Sequence, residues 1–310
     1  MDELVDFSSC PENPFRAFGG GNGRKISVSY KGTDYLLKFL PRKIGTGSYK
    51  NSAVSEYLGC HVFNILNIPA QSTILGFYEK AGQRHDVVAC KDFNANGFHL
   101  MEFDKLKNSC FHSSSEGKGV DLTSILEAID EQSLVSKGEL KRFFWDMFIV
   151  DAFIGNFDRH NGNWGLLVNE ELRMARIAPV YDCGSCLYPQ ANERDKAAIL
   201  ADEKEIENRV FVFPTSAVKE ENVKINYFDF ISSLKNPDCN KALLRIAPRI
   251  KFEKISELIN NTPGLSDLDR KFYLTMLKAR KERILDFSLE RLRSMKIDQK
   301  MQRSPVSLSR

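Results

Sequence analysis

Residues 157–168 read Phe157-Asp158-Arg159-His160-Asn161-Gly162-Asn163-Trp164-Gly165-Leu166-Leu167-Val168, and after a turn the chain continues Ile177-Ala178-Pro179-Val180-Tyr181-Asp182-Cys183-Gly184. Two polar loops are thus hinged on an apolar hairpin, one carrying Asp158 and Asn163, the other Asp182 in an Asp-x-Gly. Carboxylate and amide oxygens are hard donors, of the kind that hold magnesium. The competing reading is a polar hairpin in which Asp158 and Asn163 make only turn hydrogen bonds. A second acidic loop at hairpin distance favours chemistry over a mere turn.

An aspartate, an asparagine five positions on and an Asp-x-Gly beyond a hairpin is the order in which protein kinases set out their phosphoryl-transfer groups. Such transfer concentrates negative charge on the γ-phosphate of ATP, so catalysis is mostly positioning and electrostatic stabilisation. Asp182 is the candidate to bridge a Mg2+ ion to the β- and γ-phosphates, and Asn163 offers a neutral oxygen to a second ion. Asp158 is expected to face the acceptor hydroxyl, orienting it or taking its proton. His160 is a further catalytic candidate on that loop. Gly184 is expected to let the chain turn sharply behind Asp182.

A kinase site also needs a phosphate cover and a cationic anchor, and both stand upstream. The cluster Gly19-Gly20-Gly21-Asn22-Gly23 precedes a hairpin whose second strand carries Lys38 in Leu36-Leu37-Lys38-Phe39. Gly20, Gly21, Asn22 and Gly23 are read as the phosphate-binding loop, Lys38 as the contact to the α- and β-phosphates, and Glu56 on the next helix as its ion-pair partner. Taken singly, the glycine run reads as a flexible loop and Lys38 as a solvated strand lysine; their order carries the inference. Val87-Val88-Ala89-Cys90-Lys91-Asp92-Phe93 reads as a strand that becomes a connector, with the backbone of Ala89, Cys90, Lys91 and Asp92 reading the adenine edge.

Outward from these loops the chain divides. Up to about Phe103 short strands dominate: Ile26 to Tyr30 and Tyr35 to Phe39 joined at Lys31-Gly32-Thr33-Asp34, then Ser72 to Tyr78 and His85 to Ala89. A helix over Ser52 to Leu66, capped at Asn51 or Ser52, puts Val54, Leu58, Val62, Ile65 and Leu66 on one face. Residues 42–51, rich in glycine and lysine, read as a mobile loop. Beyond Gly119 the pattern turns helical, with Asp121 capping Leu122 to Val135, an apolar helix over Glu139 to Ile154, and helices again from Tyr227 to Ser294. The expected fold is therefore α+β and bilobal, a β-rich N-lobe over 1–92 and a mainly helical C-lobe over 93–300, with a disordered polar tail from Gln299 that fills 301–310.

Composition agrees with a folded protein, at 42% hydrophobic and 27% charged residues. A net charge of +3 over 310 residues implies no nucleic-acid partner. The basic cluster Arg280, Lys281, Arg283, Arg291, Arg293 and Lys296 reads as a solvated helix face rather than a docking patch. Seven scattered cysteines argue for a reducing compartment, the cytoplasm, and Cys183 with Cys186 is half a zinc site without a second half. The first fourteen residues lack the pattern of a signal peptide, and no stretch approaches eighteen apolar residues, so no membrane span is expected.

The run Phe153-Ile154-Gly155-Asn156-Phe157-Asp158-Arg159-His160-Asn161-Gly162-Asn163-Trp164, with Ala178-Pro179-Val180-Tyr181-Asp182, resembles the HipA-like serine/threonine kinases, whose motifs read IGN-x-D-x-H-x-x-N and P-x-Y-D. The resemblance spans most of Phe15 to Pro189 and implies a kinase-like fold, ATP and Mg2+ as cofactors, protein Ser/Thr acceptors, and self as a substrate. It further implies Asp158 as catalytic aspartate, Asn163 and Asp182 as magnesium ligands, and Lys38 on ATP. Short members lacking an additional N-terminal region are most similar, which implies secretion into host cells by a non-classical route and a proinflammatory role. The phosphate loop departs from the family's GAQ-x-K, reading Gly20-Gly21-Asn22-Gly23-Arg24-Lys25. Asp-Arg-His-Asn-x-Asn also resembles the catalytic loop of phosphoinositide kinases, so a lipid kinase is the alternative enzyme and a pseudokinase the non-enzymatic one.

Overall fold

The computed structural model describes residues 3–14, 25–40, 51–113 and 115–303. The glycine cluster and the glycine- and lysine-rich stretch 41–50 lie outside the described residues. Strands β1 (Val5–Asp6), β2 (Lys25–Tyr30), β3 (Thr33–Phe39), β4 (Thr73–Lys80) and β5 (Gln83–Lys91) form, among the described residues, a five-stranded sheet in the order β1-β4-β5-β3-β2. The β2–β3 turn is tighter than expected. Lys31 and Gly32 alone occupy it, at φ +48° and +74°, while Thr33 and Asp34 already pair with Tyr30 and Ser29. Two successive left-handed residues match the right-handed twist of the flanking strands, and a glycine at the second position relieves the strain. Ala81-Gly82 repeats the device between β4 and β5.

Alternation along β3 decides what faces the site. Tyr35, Leu37 and Phe39 bury against Phe7, Val28 and Val87 on one side. Leu36 and Lys38 therefore point to the other side, where α1 (Ser52–Ile65) lies. That helix is buried on more than the single expected face: Ala53, Glu56, Leu58, Gly59, Cys60, Val62 and Phe63 are all buried, whereas Val54 and Ile65 are only partly so. It is hemmed in between the sheet and the Asp182–Cys186 loop, so close to the latter that a Cβ at Gly59 would lie 2.5 Å from Cys183 Cβ. Asn51 does stand at the N-cap position, but its side chain does not cap; it donates to Ala191 O at 2.8 Å instead.

A second, three-stranded sheet joins β6 (His99–Glu102) to the hairpin of β7 (Gly165–Asn169) and β8 (Met174–Ile177). Helices α2 (Phe103–Cys110), α3 (Leu122–Glu131) and α4 (Lys137–Ile154) pack around it, with Asp121 capping α3 through Thr123 N as expected. Buried without a break from Phe144 to Ile154, α4 is the axis of the main core and ends at Gly155 in the left-handed region. The chain then runs through α5 (Glu193–Ala201), α6 (Glu203–Glu207), the two-stranded hairpin of β9 (Lys219–Glu220) and β10 (Val223–Lys224), α7 (Tyr227–Ser233), α8 (Pro237–Ile246), α9 (Phe252–Asn261), α10 (Asp267–Arg280) and α11 (Phe287–Arg303). A sheet-rich first part and a mainly helical remainder make the α+β, two-lobed architecture that the sequence implied.

Two expectations need correction. Helix α11 continues through Gln299 to Arg303, where a disordered tail was expected; residues 304–310 lie outside the described residues. Lys, Gln, Met and Arg are all good helix formers, and a preceding helix propagates more easily than one starts. The basic cluster is a solvated face only in part, with Arg291 and Arg293 exposed. Arg280 is buried, donating from Nε to Ala152 O at 2.8 Å, and Lys281, Arg283 and Arg291 are tied to Asp286, Glu203 and Ser232 O.

Candidate active site

Lys38 Nζ stands 3.1 Å from Glu56 Oε2 and 3.1 Å from Asp182 Oδ1, joining β3, α1 and the loop after β8. Burial pulls the lysine pKa down, but the Asp182 and Glu56 carboxylates outweigh it and hold the ammonium well above its ordinary value. The same lysine is the largest influence on Asp182, holding its carboxyl below the usual carboxylate range. Glu56 is 2% exposed and its Oε1 has no partner among the described residues, whereas the Asp182 side chain is 45% exposed. The trio is thus closed at its glutamate end and open at its aspartate end.

The turn behind Asp182 departs from expectation. Asp182 itself adopts φ +56°, and Gly184 is not among the positive-φ glycines. Aspartate tolerates the left-handed region better than most residues, at a cost of about 1–3 kcal/mol that surrounding contacts must offset. Space is tight at Gly184: a Cβ there would come within 3.2 Å of Glu56 Oε2, which would have to shift, and 3.5 Å from Ser52 O.

Arg159 supplies those contacts. Its guanidinium is buried and bidentate on Asp151 of α4, Nε to Oδ2 at 3.0 Å and Nη2 to Oδ1 at 3.2 Å. Nη1 donates to Asn163 O at 2.8 Å and to Tyr181 O, and Nη2 reaches Cys183 Sγ at 3.4 Å. One planar cation therefore clamps the two polar loops to each other and to the central helix. Asn156 completes the frame, donating to Asp151 Oδ1 at 2.9 Å and accepting at its carbonyl from Tyr227 Oη at 2.6 Å. The sequence reading assigned no role to Arg159, Asp151 or Asn156. A signal existed, since an aspartate within Phe148-Ile149-Val150-Asp151-Ala152-Phe153 calls for a buried partner.

Asn163 donates from Nδ2 to Asp158 O at 2.8 Å, which turns its amide oxygen away from that bond and leaves it for another partner. Burial raises the Asp158 pKa; the His160 charge opposes the rise and Asp182 adds to it. His160 is exposed, and in the neutral ring its Nδ1 accepts from Gly162 N at 3.1 Å. Lys38, Glu56 and Asp182 are thus in direct contact, and Asn163 and Asp158 are joined to Asp182 through the Arg159 clamp. The phosphate-loop candidates Gly20, Gly21, Asn22 and Gly23 lie outside the described residues.

The connector differs in detail from expectation. Ala89 and Cys90 are fully buried in β5, the strand between β3 and β4, in register with Leu37 and Ile74 and with Leu36 and Thr73. The amides of Lys91 and Asp92 donate to Ser72 O and Asp34 O, both at 2.9 Å, and Lys91 O accepts from Gln71 Nε2 at 2.8 Å. Backbone groups in a central strand serve neighbours on both sides, so the amides of this stretch are already engaged.

Among the described residues no group of three or more His, Cys, Asp or Glu gathers as a self-sufficient metal cage. One carboxylate, one amide oxygen and a neighbouring Asp158 do suit magnesium, which usually takes one or two protein oxygens together with substrate phosphates.

The family model of the HipA-like C-terminal domain matches residues 18–251. The serine/threonine-protein kinase CtkA of Helicobacter pylori strain J99 is 43% identical over 303 residues, covering 97% of this chain and 92% of that protein. A crystal structure of a Helicobacter pylori proinflammatory kinase CtkA is similar with a TM-score of 0.88 at 43% identity, over 94% of this chain and 99% of that one. A chain of the Shewanella oneidensis MR-1 complex of HipA, HipB and operator DNA matches with a TM-score of 0.56 at 17% identity, over 91% of this chain and 68% of that one, a likeness of fold.

Proposed function

The chain belongs to the HipA-like C-terminal domain family and is a serine/threonine protein kinase, and from that premise we propose that its phosphoryl donor is Mg-ATP and that Lys38, Glu56, Asp158, Asn163 and Asp182 carry the transfer. The observation that supports this most is the position of Lys38 Nζ, 3.1 Å from both Glu56 and Asp182. A cation held by a buried glutamate beside an open carboxylate is suited to anchor the α- and β-phosphates while Asp182 keeps a free oxygen. Asp182 and the Asn163 amide oxygen would hold Mg2+, which when bound neutralises charge on the transferred phosphoryl group. Asp158 orients the acceptor hydroxyl and takes its proton, and Arg159 keeps Asp158, Asn163 and Asp182 in one geometry. His160, adjacent and exposed, is read as an aid to that proton transfer.

Gly20, Gly21, Asn22 and Gly23 are read as the phosphate cover, and the connector at Lys91 and Asp92 as the adenine edge, contributing carbonyls or the amides beyond Asp92. We place the lobe boundary near residue 92, with self as one acceptor and no nucleic acid as partner. No helix among the described residues is long and apolar enough to cross a membrane, and seven free cysteines fit a chain that folds in a reducing cytoplasm. Secretion into host cells and proinflammatory action are taken from the relative as roles to test, with Asp158→Asn as the control.

The deciding experiment follows labelled γ-phosphate from Mg-ATP onto the enzyme itself, a generic protein acceptor and phosphoinositide vesicles, with wild type and Asp158→Asn. Label on serine or threonine that depends on Asp158 is expected. Label confined to lipid, or undiminished in the variant, would overturn the reading.

A further inference from the structure

Beside the catalytic loop the surface changes character. Phe157, the residue before Asp158, is partly buried, and its ring lies 5.8 Å from that of Phe213, which is 44% exposed. Val212 and Val223 are 62% and 69% exposed. The two segments that carry them are tied together, Asn226 Nδ2 donating to Phe211 O at 2.7 Å and Ser216 N to Ile225 O at 2.8 Å. Tyr227 Oη, bonded to Asn156 O, fixes this strip to the start of the catalytic loop. Large apolar side chains left together in water mark a contact surface more often than chance.

We propose that Val212, Phe213 and Val223 form a shelf that seats an apolar side chain of the acceptor polypeptide, close in sequence to its phosphorylated serine or threonine. The inference rests on the reading of Asp158 as the residue that meets the acceptor hydroxyl. Any acceptor must then run over what borders Asp158, and the Phe213 ring lies against that of Phe157, the residue before it. An extended chain advances about 3.3 Å per residue, so a side chain one to three positions from the acceptor reaches it. Three side chains fall far short of the roughly 800 Å2 per partner that a stable folded interface buries. A flexible segment lying in extended form is the occupant that fits.

The test uses the kinase and serine-centred peptides that carry either leucine or glycine at each of the three positions on both sides. Wild type should favour leucine over glycine at one position by about tenfold in kcat/KM, mostly through KM, the scale set by an apolar side chain in a pocket. Phe213→Ser and, independently, Val223→Ser should bring that ratio toward one. A wild-type ratio near one, or ratios that both variants leave unchanged, would overturn the shelf. Failure of the kinase reading looks different: no peptide or protein is labelled at all.

Discussion

Two ion-pair systems meet at the site and are built to opposite rules. Arg159 and Asp151 are both buried, and the guanidinium spends its donors on a carboxylate, backbone carbonyls and a thiol. Lys38 also sits against carboxylates, yet one of them, Asp182, keeps an exposed face, and a Glu56 oxygen lacks a donor among the described residues. A fully satisfied buried pair has no reason to exchange partners, because breaking it strands a charge in low dielectric. An open pair can trade a neighbour for a phosphate. The first system therefore holds geometry, and the second is left free to bind.

The sharpest way to break this contrast is to remove the closed pair's cation. Arg159→Met should cost about 3–5 kcal/mol of stability by leaving Asp151 buried and unpaired, read as a fall in the midpoint of denaturant unfolding. Adding Asp151→Leu should restore most of that stability without restoring phosphoryl transfer. If the double variant is active, Arg159 is not what aligns the loops.

On the open side the balance should reverse. Asp182→Asn and Asp158→Asn are each expected to lower kcat by about 10^2–10^3-fold, with unfolding midpoints close to wild type. Loss of stability on the scale of Arg159→Met would place Asp182 with the framework instead. A smaller effect is expected from Gly184→Ala, whose methyl meets Glu56 Oε2. The shift it forces should cost about 1–3 kcal/mol of stability and raise the KM for ATP, and an unchanged KM would free Gly184 from any part in setting Glu56.

Smallest of all should be a change in pH dependence. Burial raises the Asp158 pKa, and a base must be ionised to act, so kcat/KM should fall as pH drops through a value above the usual carboxylate range. A protonated His160 opposes that rise. His160→Ala removes the opposition, so the acid limb should move to higher pH; a limb that stays put or moves lower would show that His160 does not act on Asp158 through charge.

How much of this was legible beforehand follows from the range of each interaction. Asp158, Asn163 and Asp182 were readable because the chemistry sets their residue types and the hairpin between them sets their spacing. Lys38 and Glu56 were readable as a pair only through their order, with period-two alternation on β3 turning Lys38 toward the helix. Asn51 opens the helix as read, but its side chain serves the carbonyl of Ala191, far along the chain, in place of the helix amides. The basic run was misread at Arg280, which found carbonyls on other segments that local charge patterning cannot report.

By itself the sequence determined the α+β order of elements, the hairpin turns and the set of oxygen donors, all of which depend on neighbours a few residues apart. Only the tertiary structure decided that Arg159 is the clamp, that Gly184 lies against Glu56, that Asp182 takes the left-handed bend, and that the Phe213 ring sits beside that of Phe157. Those facts depend on atoms brought together from distant points of the chain, where packing and burial, rather than local propensity, fix which groups meet.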